Sequence, residues 1–154
     1  MKLISACLVG MCTNLHGESN SHPLFEKLLR EGKVIPFCPE QLGGLPTPRP
    51  ASEIVGGDGE KVLEGKSRVI AKDGRDVTEN FLCGARETLK LAQAVHADEA
   101  ILQERSPSCG VHFAHDGDFG GNVIVGKGVT AALLEQEGFR VTSDEDYLMK
   151  SKLP

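Results

Sequence analysis

The sequence predicts an α/β fold: a single Rossmann-like domain with a mostly parallel sheet and a long Pro/Gly-rich insertion after the second strand. Three observations carry this expectation. Lys2–Leu8 (KLISACL), a helical pattern opened by Pro23, and Lys33–Cys38 (KVIPFC) follow one another as strand, helix and strand. That order implies a parallel pair with a right-handed crossover. The strongest helical periodicity, Thr78–His96, leads into a third apolar strand, Glu99–Gln103 (EAILQ). The 154 residues, 40% hydrophobic and 25% charged, suit one hydrophobic core and hence one domain over 1–154.

Each element has a local reason. In the first helix Leu24, Phe25, Leu28 and Leu29 share a face, and Gly32 is a stop signal. Pro36 donates no ladder hydrogen bond, so the second strand is expected at an edge or to end early. From Pro39 to Val77 the Pro/Gly density reads as a long loop of functional type, with a small hairpin near Ser67–Ala71 and Asp73-Gly74. Phe81, Ala85, Leu89 and Ala92 give Thr78–His96 its apolar face, and Glu79 suits the first turn. Beyond the third core strand, Glu104–Gly110 is a turn, Asn122–Val125 a short strand, Thr130–Glu137 a helix ended by Gly138, and Phe139–Thr142 a last strand.

Composition removes several function classes. No apolar run approaches the roughly 20 residues that span a bilayer. Lys2 alone gives a thin n-region, and no small-residue cleavage site follows a long h-region, so no signal peptide is expected. With 17 Lys+Arg against 22 Asp+Glu the net charge is −5, which disfavours general nucleic-acid binding. The oligomeric state is not encoded in any legible pattern.

The five cysteines are Cys7, Cys12, Cys38, Cys83 and Cys109. An odd count without a secretion signal points to a reducing cytoplasm, and no Cys-x-x-Cys pair supports a zinc ribbon or thioredoxin motif. Cys7 and Cys38 fall near the ends of the first and second strands, and Cys109 in the turn after the third. In an open parallel sheet those ends face one ligand crevice. Three thiolates there suit a structural zinc, with Cys12 or His16 as fourth ligand, or an iron–sulfur cluster with one iron left open. Cys12 neighbours the crevice, whereas Cys83, in mid-helix, reads as packing.

These residues belong to a wider pattern. Ser5-Ala6-Cys7-Leu8-Val9-Gly10, Cys38-Pro39-Glu40, Leu42-Gly43-Gly44-Leu45-Pro46-Thr47-Pro48-Arg49-Pro50, Glu53-Ile54-Val55-Gly56-Gly57, Asp76-Val77-Thr78, Arg105-Ser106-Pro107-Ser108-Cys109-Gly110 and Gly128-Val129-Thr130-Ala131 together resemble the DUF523 family, which includes the thiouracil desulfidases. The resemblance runs roughly from Leu3 to Thr142. It implies a [4Fe–4S] cluster held by Cys7, Cys38 and Cys109 with one open iron that takes the sulfur of a thiolated nucleobase or nucleotide. Water then attacks the ring carbon and the C–S bond breaks without net redox change, giving hydrosulfide and an oxo product. Glu40, two residues after Cys38, is the candidate base for the water. Ser106, three before Cys109, is the second catalytic candidate, and Ser108 is expected to cap the turn. The chain departs from many members at Asn14-Leu15, followed by His16-Gly17, where an Arg-Tyr-like pair is usual. That difference bears on the substrate's identity.

Two glycine motifs mislead. Gly59 and Gly65-Lys66-Ser67 have five intervening residues where a P-loop needs four. Gly126-Lys127-Gly128-Val129-Thr130-Ala131 fits G-x-G-x-x-A, with Asp144 and Glu145 after the next strand, but too little chain follows to complete a dinucleotide domain. The helix start it opens offers N–H groups to a phosphate or carboxylate. The rival from another class is a zinc- or cluster-binding regulatory or sensor module without catalysis.

Overall fold

A computed structural model describes residues 1–153. Four parallel strands, β1 (Lys2–Ser5), β2 (Val34–Phe37), β5 (Glu99–Leu102) and β8 (Arg140–Ser143), form the central sheet in the order β2-β1-β5-β8. Helix α1 (Pro23–Arg30) joins β1 to β2, and Leu3 lies opposite Ile35 in the register. Pro36 sits on β2, an edge strand, as its missing N–H requires.

Alternation along β1 divides the core. Leu3, with Phe37, Ala100 and Leu102, packs toward Ala92 of α4 (Thr78–Ala94) and Leu134 of α5 (Val129–Gln136). Ile4 and Ile101 face the other way, against Phe25 of α1 and Tyr147 and Leu148 of α6 (Asp144–Ser151). Burial on both faces explains why these strands read as continuous apolar runs. Among the described residues, no helix is long and apolar enough to cross a membrane.

The stretch expected as a long loop is largely ordered. It carries α2 (Pro39–Leu42), β3 (Ser52–Val55), α3 (Gly59–Leu63) and β4 (Arg68–Ala71). β4 pairs antiparallel with β3, and the Asp73-Gly74 turn contributes only an isolated Ile70–Asp76 bridge. Ile54, Val62 and Val69 bury against Phe81 and Ala85 of α4, which outweighs the local turn propensity. Asn122–Val125, expected as a strand, is β7 (Val123–Val125), and it pairs with β6 (Phe113–His115) outside the central sheet.

α2 lies against α4 through two glycines. A Cβ on Gly43 would stand 2.0 Å from the Asn80 carbonyl oxygen, and one on Gly84 2.0 Å from that of Pro39. The Asn80 side-chain amide also donates to the Gly43 carbonyl at 2.9 Å. This approach seats α2, which carries Glu40 and follows Cys38, against α4.

Candidate active site

The sheet order reverses between β1 and β5: the chain leaves β1 toward β2 on one side and returns to β5 on the other. A crevice beyond the strand ends is expected at that point. A cavity of about 450 Å³ lies there, and Cys7, Cys38 and Cys109 all line it.

Their supports differ from strand ends proper. β1 stops at Ser5, and Cys7 sits in a 3-10 helix, Ala6–Val9, closed by Gly10 at a φ of 95°. The Cys7 thiol donates to Gln103 Oε1 at 2.7 Å, and the Gln103 N–H donates to Ser5 Oγ at 3.1 Å. Cys38 is the residue before α2 and reaches the Thr13 carbonyl at 3.8 Å. Cys109 lies in a turn cradled by the start of α5. There Val129 N–H donates to Pro107 O, and Thr130 and Ala131 N–H both donate to Ser108 O. Those donors are thus engaged by the protein's own backbone, which overturns the expectation of a phosphate or carboxylate at this helix start.

Glu104 shapes the same turn. It is 5% exposed, and its Oε1 accepts N–H bonds from Arg105, Val111, His112 and Phe113, while its Oε2 is buried without a partner. Its own N–H donates to Asp144 Oδ1 at 2.9 Å.

Glu40 is not a solvated loop carboxylate. It lies in the first turn of α2, 12% exposed, and its Oε2 pairs with the Arg49 guanidinium, itself 6% exposed. Arg49 is fixed in turn by the Thr13 carbonyl at 3.1 Å and Thr47 Oγ1 at 3.0 Å. Glu40 Oε1 accepts a hydrogen bond from Ser108 Oγ at 2.8 Å. The two serines divide their work differently from the expectation. Ser106 Oγ caps the turn, accepting from the N–H groups of Ser108 at 3.2 Å and Cys109 at 3.1 Å. With the Ser108 proton on Glu40, the 3.0 Å contact between the hydroxyls leaves Ser106 as donor to Ser108. A hydroxyl chain Ser106–Ser108–Glu40 results.

Burial pushes the Cys7 thiol up to about 12, helped by Cys38 and Glu40 nearby. Burial also raises Cys38 and Cys109, with Glu40 adding to both and Arg49 opposing at Cys38. These mutual influences reflect thiols grouped around one space. Cys12 is exposed and Cys83 half-buried, and neither is among the lining residues; nor is His16, although Asn14 and Leu15 are.

Three soft sulfur donors around one cavity fit an iron–sulfur cluster, whose irons would draw the protons from thiols that burial keeps neutral. Among the described residues, no three His, Cys, Asp or Glu side chains converge on a point suited to a single metal ion. A cubane makes a different demand, because its thiolates bind separate irons.

Fold and site together define an α/β protein with a thiol-lined cavity at the switch point of its sheet. The family model described as 2-thiouracil desulfurase matches residues 3–146, and the chain belongs to that family. An uncharacterized protein of Bacillus subtilis (strain 168), YbbK, is 45% identical over 146 residues, covering 95% of this chain and 97% of that protein. The solved structure of the [4Fe-4S]-dependent thiouracil desulfidase TudS matches with a TM-score of 0.81 at 38% identity, over 98% of this chain and 97% of that one.

Proposed function

We propose that this chain is a [4Fe–4S]-dependent desulfidase that hydrolytically removes sulfur from a thiolated nucleobase such as thiouracil, giving hydrosulfide and the oxo base. It acts as one domain over 1–154, in a reducing cytoplasm, with Cys7, Cys38 and Cys109 as cluster ligands. The observation that carries the reading is the position of Glu40: a carboxylate held by Arg49 and Ser108 on the cavity that the three thiols line. Family membership and the likeness to TudS support it.

When bound, the cluster supplies an open iron, a soft Lewis acid matched to the sulfur of the substrate. The protein's side chains handle the protons. Arg49 on Oε2 orients the Glu40 carboxylate, so that it takes a proton from the attacking water. The hydroxyl chain through Ser108 and Ser106 links that carboxylate to the turn bearing Cys109. Once Glu40 holds the proton from water the chain reverses, Glu40 donating to Ser108, Ser108 to Ser106 and Ser106 to the departing sulfur, so that the same proton leaves with hydrosulfide.

Anaerobically reconstituted protein is expected to release hydrosulfide from 2- or 4-thiouracil, and replacing Cys7, Cys38 or Cys109 is expected to abolish release. Cluster-loaded protein that binds thiolated bases but never releases hydrosulfide would overturn the enzymatic reading in favour of a sensor.

A further inference from the structure

Part of the cavity wall comes from the β6–β7 hairpin, and two residues there have no role in the chemistry above. His115, the last residue of β6, lines the cavity, and its Nδ1 is buried without a hydrogen-bond partner. Phe119, in the loop between the strands, lines the same cavity, half-buried, with a φ of 57°. That conformation is costly for a bulky aromatic and persists only where surrounding contacts enforce it.

The enforcing contacts come from Glu53 on β3, which is 7% exposed. Its Oε1 accepts the N–H groups of Gly117 at 3.0 Å and Phe119 at 3.1 Å. The loop is closed by the Asp116 N–H to the Asn122 carbonyl at 3.0 Å, and Gly117 passes so near β3 that a Cβ would stand 2.8 Å from the Ile54 carbonyl oxygen. A buried carboxylate thus holds a strained aromatic residue at the cavity.

We infer that Phe119 and His115 form the base-recognition wall of this cavity, Phe119 stacking on a planar pyrimidine ring and the His115 imidazole hydrogen-bonding to the ring's polar edge. This deepens the desulfidase reading and rests on it for the identity of the ligand. A flat heteroaromatic with amide-like edges needs a π-face and a polar atom, and the hairpin presents both. Selection is therefore for aromatic thio-compounds over aliphatic thioamides and thioureas.

The test uses anaerobically reconstituted protein and two unreactive probes, uracil and 5,6-dihydrouracil, which share an amide edge but differ in ring planarity. Titration calorimetry is expected to show tighter binding of uracil. Phe119→Asn, which the left-handed backbone tolerates, is expected to weaken uracil roughly tenfold and to remove the preference over dihydrouracil, with no loss of thermal stability. A purely structural Phe119 would instead lower the melting temperature and spare the preference. His115→Phe is expected to weaken both probes severalfold while keeping the preference. Absent or equal binding of the probes by the wild-type protein, or unchanged binding by both variants, overturns the inference. Hydrosulfide release with unchanged binding in the variants removes the wall and leaves the reaction. Uracil binding that follows the expected pattern without hydrosulfide release removes the reaction and leaves the wall.

Discussion

Ser108 Oγ donates to Glu40 Oε1 across 2.8 Å, joining the turn that carries Cys109 to the short helix that follows Cys38. Glu40→Gln keeps the size of the side chain and removes the base. It is expected to retain iron and to lower the rate of hydrosulfide release by about 10²–10⁴-fold. Ser108→Ala, which leaves the carboxylate in place without that donor, is expected to give a smaller loss. Full activity in Glu40→Gln with its cluster present would remove Glu40 from the mechanism.

Arg49 and Glu40 form a pair with both side chains largely withdrawn from water. Arg49→Gln leaves the carboxylate without its cation and is expected to cost about 3–5 kcal/mol in urea unfolding. Arg49→Lys recovers charge but not the forked contacts to Glu40, Thr13 and Thr47, and is expected to fall between Arg49→Gln and the wild type.

Glu104 gathers four backbone N–H groups on one oxygen. Glu104→Ala strands one buried donor, the Val111 N–H, at a cost of about 1–3 kcal/mol, together with three part-buried ones, and is expected to lower both the melting temperature and the iron retained at Cys109. Glu104→Gln keeps an acceptor at the same place and is expected to preserve most of both. Equal losses in the two variants would contradict the clamp.

Asp76 sits just before α4. Hydrogen bonds from Thr78, by hydroxyl and backbone N–H, and from Arg68 hold its carboxyl at about 2, against 3.8 normally. A depressed folded-state value contributes stability above the unfolded value and loses it as pH falls through the folded one. Asp76→Asn is therefore expected to be less stable than the wild type at pH 7. The gap should narrow between about pH 4 and pH 2. Because the ion pair is exposed to solvent, added salt should also shrink the gap.

The central sheet and its thiols are legible because their signals are local. Pro36 announces an edge strand, and Cys38 and Cys109 lie within a few residues of apolar runs that end in turns. Cys7 shows the limit of such reading. Ala6–Val9 continues an apolar run whose short length gives no period to separate a buried strand from a tight helical turn. α6 is absent from the sequence expectation although Ser143 caps it from three residues before Asp146 and its first turn is acidic, both recognisable start signals. Arg49, Gln103 and Glu104 have no such signature. Their roles depend on partners brought close only by the fold, and Arg49 lies in a Pro-rich stretch that reads as loop.

The most direct test is the iron and acid-labile sulfide content per chain, measured anaerobically in the wild type and in Cys7→Ser, Cys38→Ser and Cys109→Ser. The expected result is a [4Fe–4S] complement in the wild type, lost or degraded in each variant, with Cys12→Ser and Cys83→Ser unaffected. Zinc without acid-labile sulfide in the wild type, or a full cluster surviving the loss of any of the three thiols, would contradict it.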